Sequence, residues 1–323
     1  MGTELVPVAQ TPLATTANAA DLFEAWLAGR NANTVRSYIK DIKDFCRFLS
    51  PGSKNRDDLA AVEAFLAVSH GKANQVGMKY RAHLNERGLA PGTVARRLST
   101  LRSMVTAARR IGRIAWSLDV DGPRSEPYRD TRGPGLDGWR AILKKAGELA
   151  TTPRGKRDMA LCLLMHDLGL RRGECVALDL VDVELNENPS VAIVGKGKTE
   201  QERLTLTPRP CAALRDWIIS RGSAPGPLFT RLDTGASVDL GRLTGDSVAR
   251  MVTRLGSLAG LSRKALPHGL RHQGITRLLD LLAGDVRKVQ RFSRHAKVET
   301  VMRYDDARRD DAGALAQLLG TDD

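Results

Sequence analysis

Between Trp116 and Gly135 the chain loses its hydrophobic period. The stretch "SLDVDGPRSEPYRDTRGPG" is dense in Gly, Pro and charge. Such a segment reads as a linker between two folded parts, so it limits how the rest can fold. On both sides of it apolar residues recur at helical spacing. With 323 residues, 42% of them hydrophobic, the chain can build two separate cores. The organisation expected is a flexible tail over residues 1–17, rich in Thr, Ala and Pro, then a helical domain over 18–115. A linker over 116–135 and a second domain over 136–323 follow.

The first domain reads as four or five helices. "NTVRSYIKDIKDFCRFL" lines up Val35, Ile39, Ile42, Phe45 and Leu49, with Asn33 or Thr34 as its cap. "RDDLAAVEAFLAV" begins with acids and stops before Gly71. "TVARRLSTLRSMVTAARR" carries Val94, Leu98, Leu101, Val105 and Ala108 on one face, with most of its arginines elsewhere. The second domain is also helical, but "SVAIVGKGKTEQERLTLT" sets two short β-type runs around a polar turn, which predicts a hairpin. The fold class is therefore mainly α with a small β-hairpin or sheet.

Charge narrows the partner. The net charge is +13 and the isoelectric point about 10, more basic than solubility requires. From His70 to Arg113 ten Lys or Arg stand against one acid, Glu86. Arg96, Arg97, Arg109 and Arg110 are the candidate contacts to nucleic-acid phosphates. No apolar run reaches the length of a membrane span, and the N-terminus lacks the regions of a signal peptide, so a cytoplasmic, nucleoid-associated protein is expected. Cys46, Cys162, Cys175 and Cys211 form no C-x-x-C pair and read as reduced core residues.

The chemistry gathers in four short stretches. In "HGLRHQGITRLL", His268, Arg271 and His272 stand at i, i+3 and i+4, one face of a helix. Arg271 in that space argues for an anion rather than a metal ion, and the pair does not match H-E-x-x-H. "HDLGLRRGECVAL" places Arg171, Arg172 and Glu174 where an apolar helix meets a glycine-bounded turn, the makings of an oriented anion clamp. The hairpin tip shows Lys196 and Lys198. "SRHAKVETVMRYDD" sets His295 nine residues before Tyr304, on a short helix expected to begin near Val298. Together these groups suit a phosphodiester. Arginines and a histidine stabilise its charge, a tyrosine attacks phosphorus, and a mobile lysine protonates the departing oxygen.

The order G-L-R-x-x-E, G-K-G in a hairpin, H-x-L-R-H, then His nine residues before Tyr resembles the tyrosine site-specific recombinases, the phage-integrase family. The resemblance spans essentially the whole chain. It implies an N-terminal helical, SAM-like core-binding domain and an α+β catalytic domain. It also implies cleavage and rejoining of double-stranded DNA at a specific recombination site through a 3′-phosphotyrosyl link, without metal or high-energy cofactor. By position, Arg171 and Arg271 would grip the scissile phosphate, with Glu174 supporting Arg171. His268 would assist proton transfer, Lys196 would be the general acid, His295 would hydrogen-bond the phosphate and Tyr304 would be the nucleophile. His272 would be a supporting residue. The family usually has Leu-Gly before the late histidine, where this chain has Ser293 and Arg294. A tetrameric synaptic complex is implied, with the tail after Tyr304 (Leu315, Leu318, Leu319) as a docking element. The absence of room for an arm-type domain ahead of the first helix favours a simple two-domain recombinase. A type IB topoisomerase-like enzyme and a catalytically silent DNA-binding protein are the competing functions.

Overall fold

The computed structural model describes residues 18–53, 57–123, 133–195, 200–232 and 238–306. The chain divides into two compact units, Met1–Arg129 and Asp130–Asp323. The tail carrying Leu315, Leu318 and Leu319 and the hairpin tip carrying Lys196 and Lys198 lie outside the described residues.

The first unit contains α1 (Ala19–Leu27), α2 (Ala32–Leu49), α3 (Asp58–Leu66), α4 (His70–Glu86) and α5 (Pro91–Arg110). The stripe of α5 is as the spacing predicts: Val94, Leu98, Leu101, Val105 and Ala108 are all buried. They meet Leu22, Trp26, Ile42, Phe45, Phe65 and Tyr80 in one core. One boundary differs from expectation. The cap of α2 is Asn31, whose side chain accepts from the Thr34 N–H at 2.9 Å, rather than Asn33 or Thr34. The helix after the acids ends at Leu66 and a new one starts at His70. Ile39 stays exposed, while Asp41 and Asp44 of α2 turn inward.

Those two carboxylates change the reading of the basic segment. Arg97 is buried, and its guanidinium pairs with Asp44 and, at 3.9 Å, with Asp41. Arg97 is thus an interior ion-pair partner, which corrects its assignment as a phosphate contact. Tyr80 Oη also donates to Asp44 (2.9 Å), and Arg87 donates to it at 3.0 Å. Burial alone would raise the Asp44 carboxyl, but the Arg87 and Tyr80 hydrogen bonds and the Arg97 charge hold it below its ordinary value. Arg96 is exposed yet bonded to Asp41, and Arg113 pairs with Glu63. Arg109 and Arg110, in the last turn of α5, are exposed.

The second unit holds α6 (Gly135–Leu149), α7 (Pro153–Asp167), α8 (Arg172–Ala177), α9 (Pro208–Arg221), α10 (Gly245–Leu258), α11 (Pro267–Leu281), α12 (Val286–Ser293) and α13 (Val298–Asp306). Helix α7 is central and packs on α6, α9 and α11. Its run Ala160–Met165 is buried on every side, as expected of a helix enclosed by others. Strands β1 (Val183–Glu184), β2 (Ser190–Val194) and β3 (Gln201–Thr205) form an antiparallel sheet in that order, and the expected hairpin is β2–β3, with Val191 opposite Leu204. Strands β4 (Thr230–Leu232) and β5 (Val238–Arg242) form a second pair. A β-carbon on Gly274 of α11 would lie 2.3 Å from the His166 carbonyl oxygen, so only glycine lets α11 sit this close to α7. That approach brings Arg271, almost one turn earlier, to the end of α7.

Asp44 is the charge on which the first unit leans. Asp44→Ala strands the buried Arg97 guanidinium and should cost about 3–5 kcal/mol of unfolding free energy. Arg109→Ala should stay within about 0.5 kcal/mol of the parent. Urea unfolding measures both, and equal stabilities would contradict the inward placement of Arg97.

Candidate active site

Two helix ends meet in the second unit. Helix α7 stops at Asp167, and Gly169 takes a left-handed φ of 57° that turns the chain into α8. Helix α12 stops at Ser293, and Arg294 takes the left-handed conformation there, with φ 56° and ψ 38°. The ends of helices carry carbonyl oxygens with no partner inside the helix, and they bear partial negative charge. Here guanidinium groups satisfy them.

Arg271, 2% exposed, donates from Nη1 to the Gly169 carbonyl and from Nη2 to the Ser293 carbonyl. Arg171 donates from Nη2 to the carbonyl of Arg294 (3.3 Å) and from Nη1 to Glu174 Oε1 (2.6 Å). Glu174, three residues into α8, also accepts the Arg171 backbone N–H at Oε2 (2.8 Å), so one carboxylate both caps the helix and aims the arginine. Burial would raise the Glu174 carboxyl, but the Arg171 hydrogen bonds and the Arg294 charge hold it below the usual carboxylate range. Burial and the nearby Arg171 and Arg294 charges bring Arg271 down to about 10, still a cation at neutral pH. Arg172 is exposed instead and lies 3.8 Å from Asp246 of α10. Arg171, not its neighbour, joins the cluster.

His295 follows directly. Its Nε2 lies 3.4 Å from Arg271 Nη2, and a guanidinium can only donate, so Nε2 accepts. The ring proton is thereby assigned to Nδ1, which donates to Ser293 Oγ (2.9 Å). The serine hydroxyl in turn donates to the Gln290 carbonyl (3.3 Å). Burial, then the charges of Arg271, Arg171, His268 and Arg294, push His295 from 6.5 down to about 4. His268 is exposed at the first turn of α11, and its charge reaches His295. His272 is buried, its Nδ1 3.2 Å from Thr276 Oγ1, and its ring centroid lies 4.5 Å from that of Tyr304.

Tyr304 stands on α13, 7% exposed, in a small apolar cluster with Ile275, Leu279, Val289 and Val301. Its ring is 5.7 Å from His295. Burial raises its phenol above 10, and the Arg271 and Arg171 charges work against that rise. Helices α11, α12 and α13 with the α7–α8 turn therefore bring Arg171, Glu174, His268, Arg271, His272, His295 and Tyr304 into one site. Ser293, Gly169 and Arg294 belong to it as well, and sequence reasoning assigned them no part. The signal for the first and last was the dipeptide Ser-Arg in front of His295. Among the described residues no group of three or more His, Cys, Asp or Glu could hold a metal ion.

The fold and the site together define an enzyme that transfers DNA strands. The chain matches the Phage integrase family over residues 139–310 and the Phage integrase, N-terminal SAM-like domain over residues 20–112. A tyrosine recombinase of Synechocystis sp. is 34% identical over 296 residues, covering 90% of this chain and 91% of the relative. Another from Synechococcus elongatus is 35% identical over 299 residues, with the same coverage. The structure of XerH site-specific recombinase bound to palindromic difH substrate has a TM-score of 0.67 at 17% identity, covering 94% of this chain and 85% of that one, a likeness of fold. The chain belongs to the phage-integrase family of tyrosine recombinases, and its reaction is the cleavage and rejoining of DNA strands in site-specific recombination.

The electrostatics of the site set a testable titration. In the DNA-free protein the His295 ring should titrate near 4 by NMR. An unfolded histidine titrates near 6.5, so between these values the unfolded chain binds the additional proton. The stability gained from the neutral ring is complete above about pH 6.5 and is lost as pH falls toward 4. A midpoint at or above 6.5 would refute this placement of charges.

Proposed function

We propose that Tyr304 Oη attacks the scissile phosphorus, forming a 3′-phosphotyrosyl ester as the bond to the 5′ oxygen breaks. The observation that carries this reading is the placement of the Tyr304 ring against two imidazoles, beside Arg271, which is buried, and Arg171, both anchored to main-chain carbonyls. Arg171 and Arg271 hold the non-bridging oxygens, and Glu174 fixes Arg171. Preorganised donors of this kind need no reorganisation as negative charge builds on phosphorus, and no metal ion is required for it.

His295 contacts the phosphate after taking up a proton at Nε2, since the free site keeps that nitrogen as an acceptor. His268 assists proton transfer to and from the tyrosine, and His272 supports its ring. Lys196 protonates the departing 5′ oxygen. Of the segment from His70 to Arg113, Arg109 and Arg110 are the preferred phosphate contacts, with Arg96 shared with Asp41. The partner is duplex DNA at a specific site. The active assembly is a tetramer, because exchanging two duplexes takes four strand cleavages; sedimentation of the protein on paired sites tests that stoichiometry.

Tyr304→Phe should bind the DNA site and yield no covalent adduct on a nicked suicide substrate, while the parent forms one in EDTA. An adduct from the variant would move the nucleophile to Tyr38, Tyr80 or Tyr128. In the same assay a substrate with sulfur at the bridging 5′ position should rescue Lys196→Ala and not Lys198→Ala. A thiol's pKa is near 8.5, so sulfur leaves without a proton. Rescue of the other lysine would reverse the assignment.

Arg109→Ala and Arg110→Ala should each lower the log–log salt slope of DNA binding by roughly one unit. An unchanged slope in the double variant would place the DNA face elsewhere.

A further inference from the structure

Arg294 is a charged side chain in a backbone conformation that favours glycine. Its φ of 56° and ψ of 38° put it in the left-handed region, strained for a residue with a β-carbon. The side chain nevertheless turns inward and is 5% exposed. Nη1 donates to the carbonyls of Leu168 (3.2 Å) and Phe292 (3.0 Å). Nη2 donates to the Gly169 carbonyl (2.9 Å) and to Glu174 Oε2 (3.3 Å). The buried Nε has no hydrogen-bond partner among the described residues.

These partners are the anchors of the two phosphate-gripping arginines. Glu174, which aims Arg171, is shared with Arg294. The Gly169 carbonyl, which holds Arg271, is shared with Arg294 as well. The main-chain carbonyl of Arg294 itself accepts from Arg171, and that of Ser293, just before it, accepts from Arg271. Backbone and side chain of one residue thus touch the supports of both arginines. From this geometry we infer that Arg294 is a positioning residue for DNA cleavage: it ties the end of α12 to the α7–α8 turn and fixes the spacing between Arg171 and Arg271.

The inference rests on the proposed roles of Arg171 and Arg271. Arg171 and Arg294 both pair with the Glu174 carboxylate, while Arg271 is held by carbonyls. The groups around His295 are Arg271 and His268 on α11, Arg171 at the start of α8, Arg294 before it, and Tyr304 on α13. The excess positive charge favours the neutral ring before DNA binds.

The test compares the full-length protein with Arg294→Gly and Arg294→Lys. Glycine suits the left-handed position, so that variant keeps the backbone and loses only the guanidinium. Single-turnover cleavage by Arg294→Gly should fall roughly tenfold to a hundredfold, the effect expected of a small misplacement, with DNA affinity little changed. The His295 titration should move upward because one positive charge has gone. Arg294→Lys keeps the charge and should recover part of the rate and most of the titration. Wild-type cleavage by Arg294→Gly, or an unmoved His295 midpoint, would overturn the inference. So would loss of a cooperative unfolding transition in Arg294→Gly, which would make the residue a folding element. Failure of the parent protein to form an adduct would instead sink the reading of the site.

Discussion

The site depends on unpaired carbonyl oxygens at the ends of two helices. A helix leaves its last carbonyls without internal partners, and a buried carbonyl without a donor costs about 1–3 kcal/mol. In this protein α7 and α12 end against each other, and Arg271 and Arg294 supply the donors. The exchange works in both directions. The carbonyls are satisfied, and the guanidinium groups are fixed in a plane before any substrate arrives. A lysine could replace them only in part, because one ammonium cannot span two carbonyls with a rigid fork. Glu174 neutralises only part of the charge, so the pocket remains ready for an anion.

Two consequences follow from that excess charge. Together with burial, the larger cause, it favours the neutral His295 ring, with the Ser293 hydroxyl holding its proton on Nδ1 and the lone pair of Nε2 toward Arg271. Binding of a phosphate reverses the local field and favours protonation of the same nitrogen. On the role proposed for His295, the ring changes from acceptor to donor when DNA fills the site. The excess also works against burial at Tyr304, drawing its phenol back toward its ordinary value.

Much of this was legible in the sequence, for reasons that differ from residue to residue. The α5 stripe and the β2–β3 hairpin follow from local periodicity, which needs no knowledge of distant contacts. The placing of His268, Arg271 and His272 on one helix face follows from spacing alone. Arg97 was misread because its partners, Asp41 and Asp44, lie more than fifty residues earlier and meet it only when α2 packs on α5. A run of basic residues in sequence is not a basic face once another helix inserts its acids. Asn31 was passed over as the cap because Asn33 and Thr34 are equally good candidates by residue type. The role of Arg294 was hidden for a third reason: a left-handed turn filled by arginine contradicts propensity, and only the carbonyls around it explain the exception.

The two halves of the reaction are anchored unequally. Arg171, Glu174 and Arg271 belong to the α7–α8 turn and α11, whose neighbours Leu164, Leu168, Leu170 and Leu270 are part of the large core of the second unit. Tyr304 belongs to a separate small cluster, to which α13 contributes Val301 and Tyr304 itself. Burying a side chain of that size is worth about 1.5–3 kcal/mol, so among the described residues these two hold α13 by a few kcal/mol. That is comparable to the cost of a local opening and far below that of disrupting the main core. A recombinase must grip the phosphate throughout, yet its tyrosine must reach phosphorus, remain bonded to it and then leave. With the roles proposed for these residues, the grip on the large core and the nucleophile on a lightly held helix satisfy both demands with one fold.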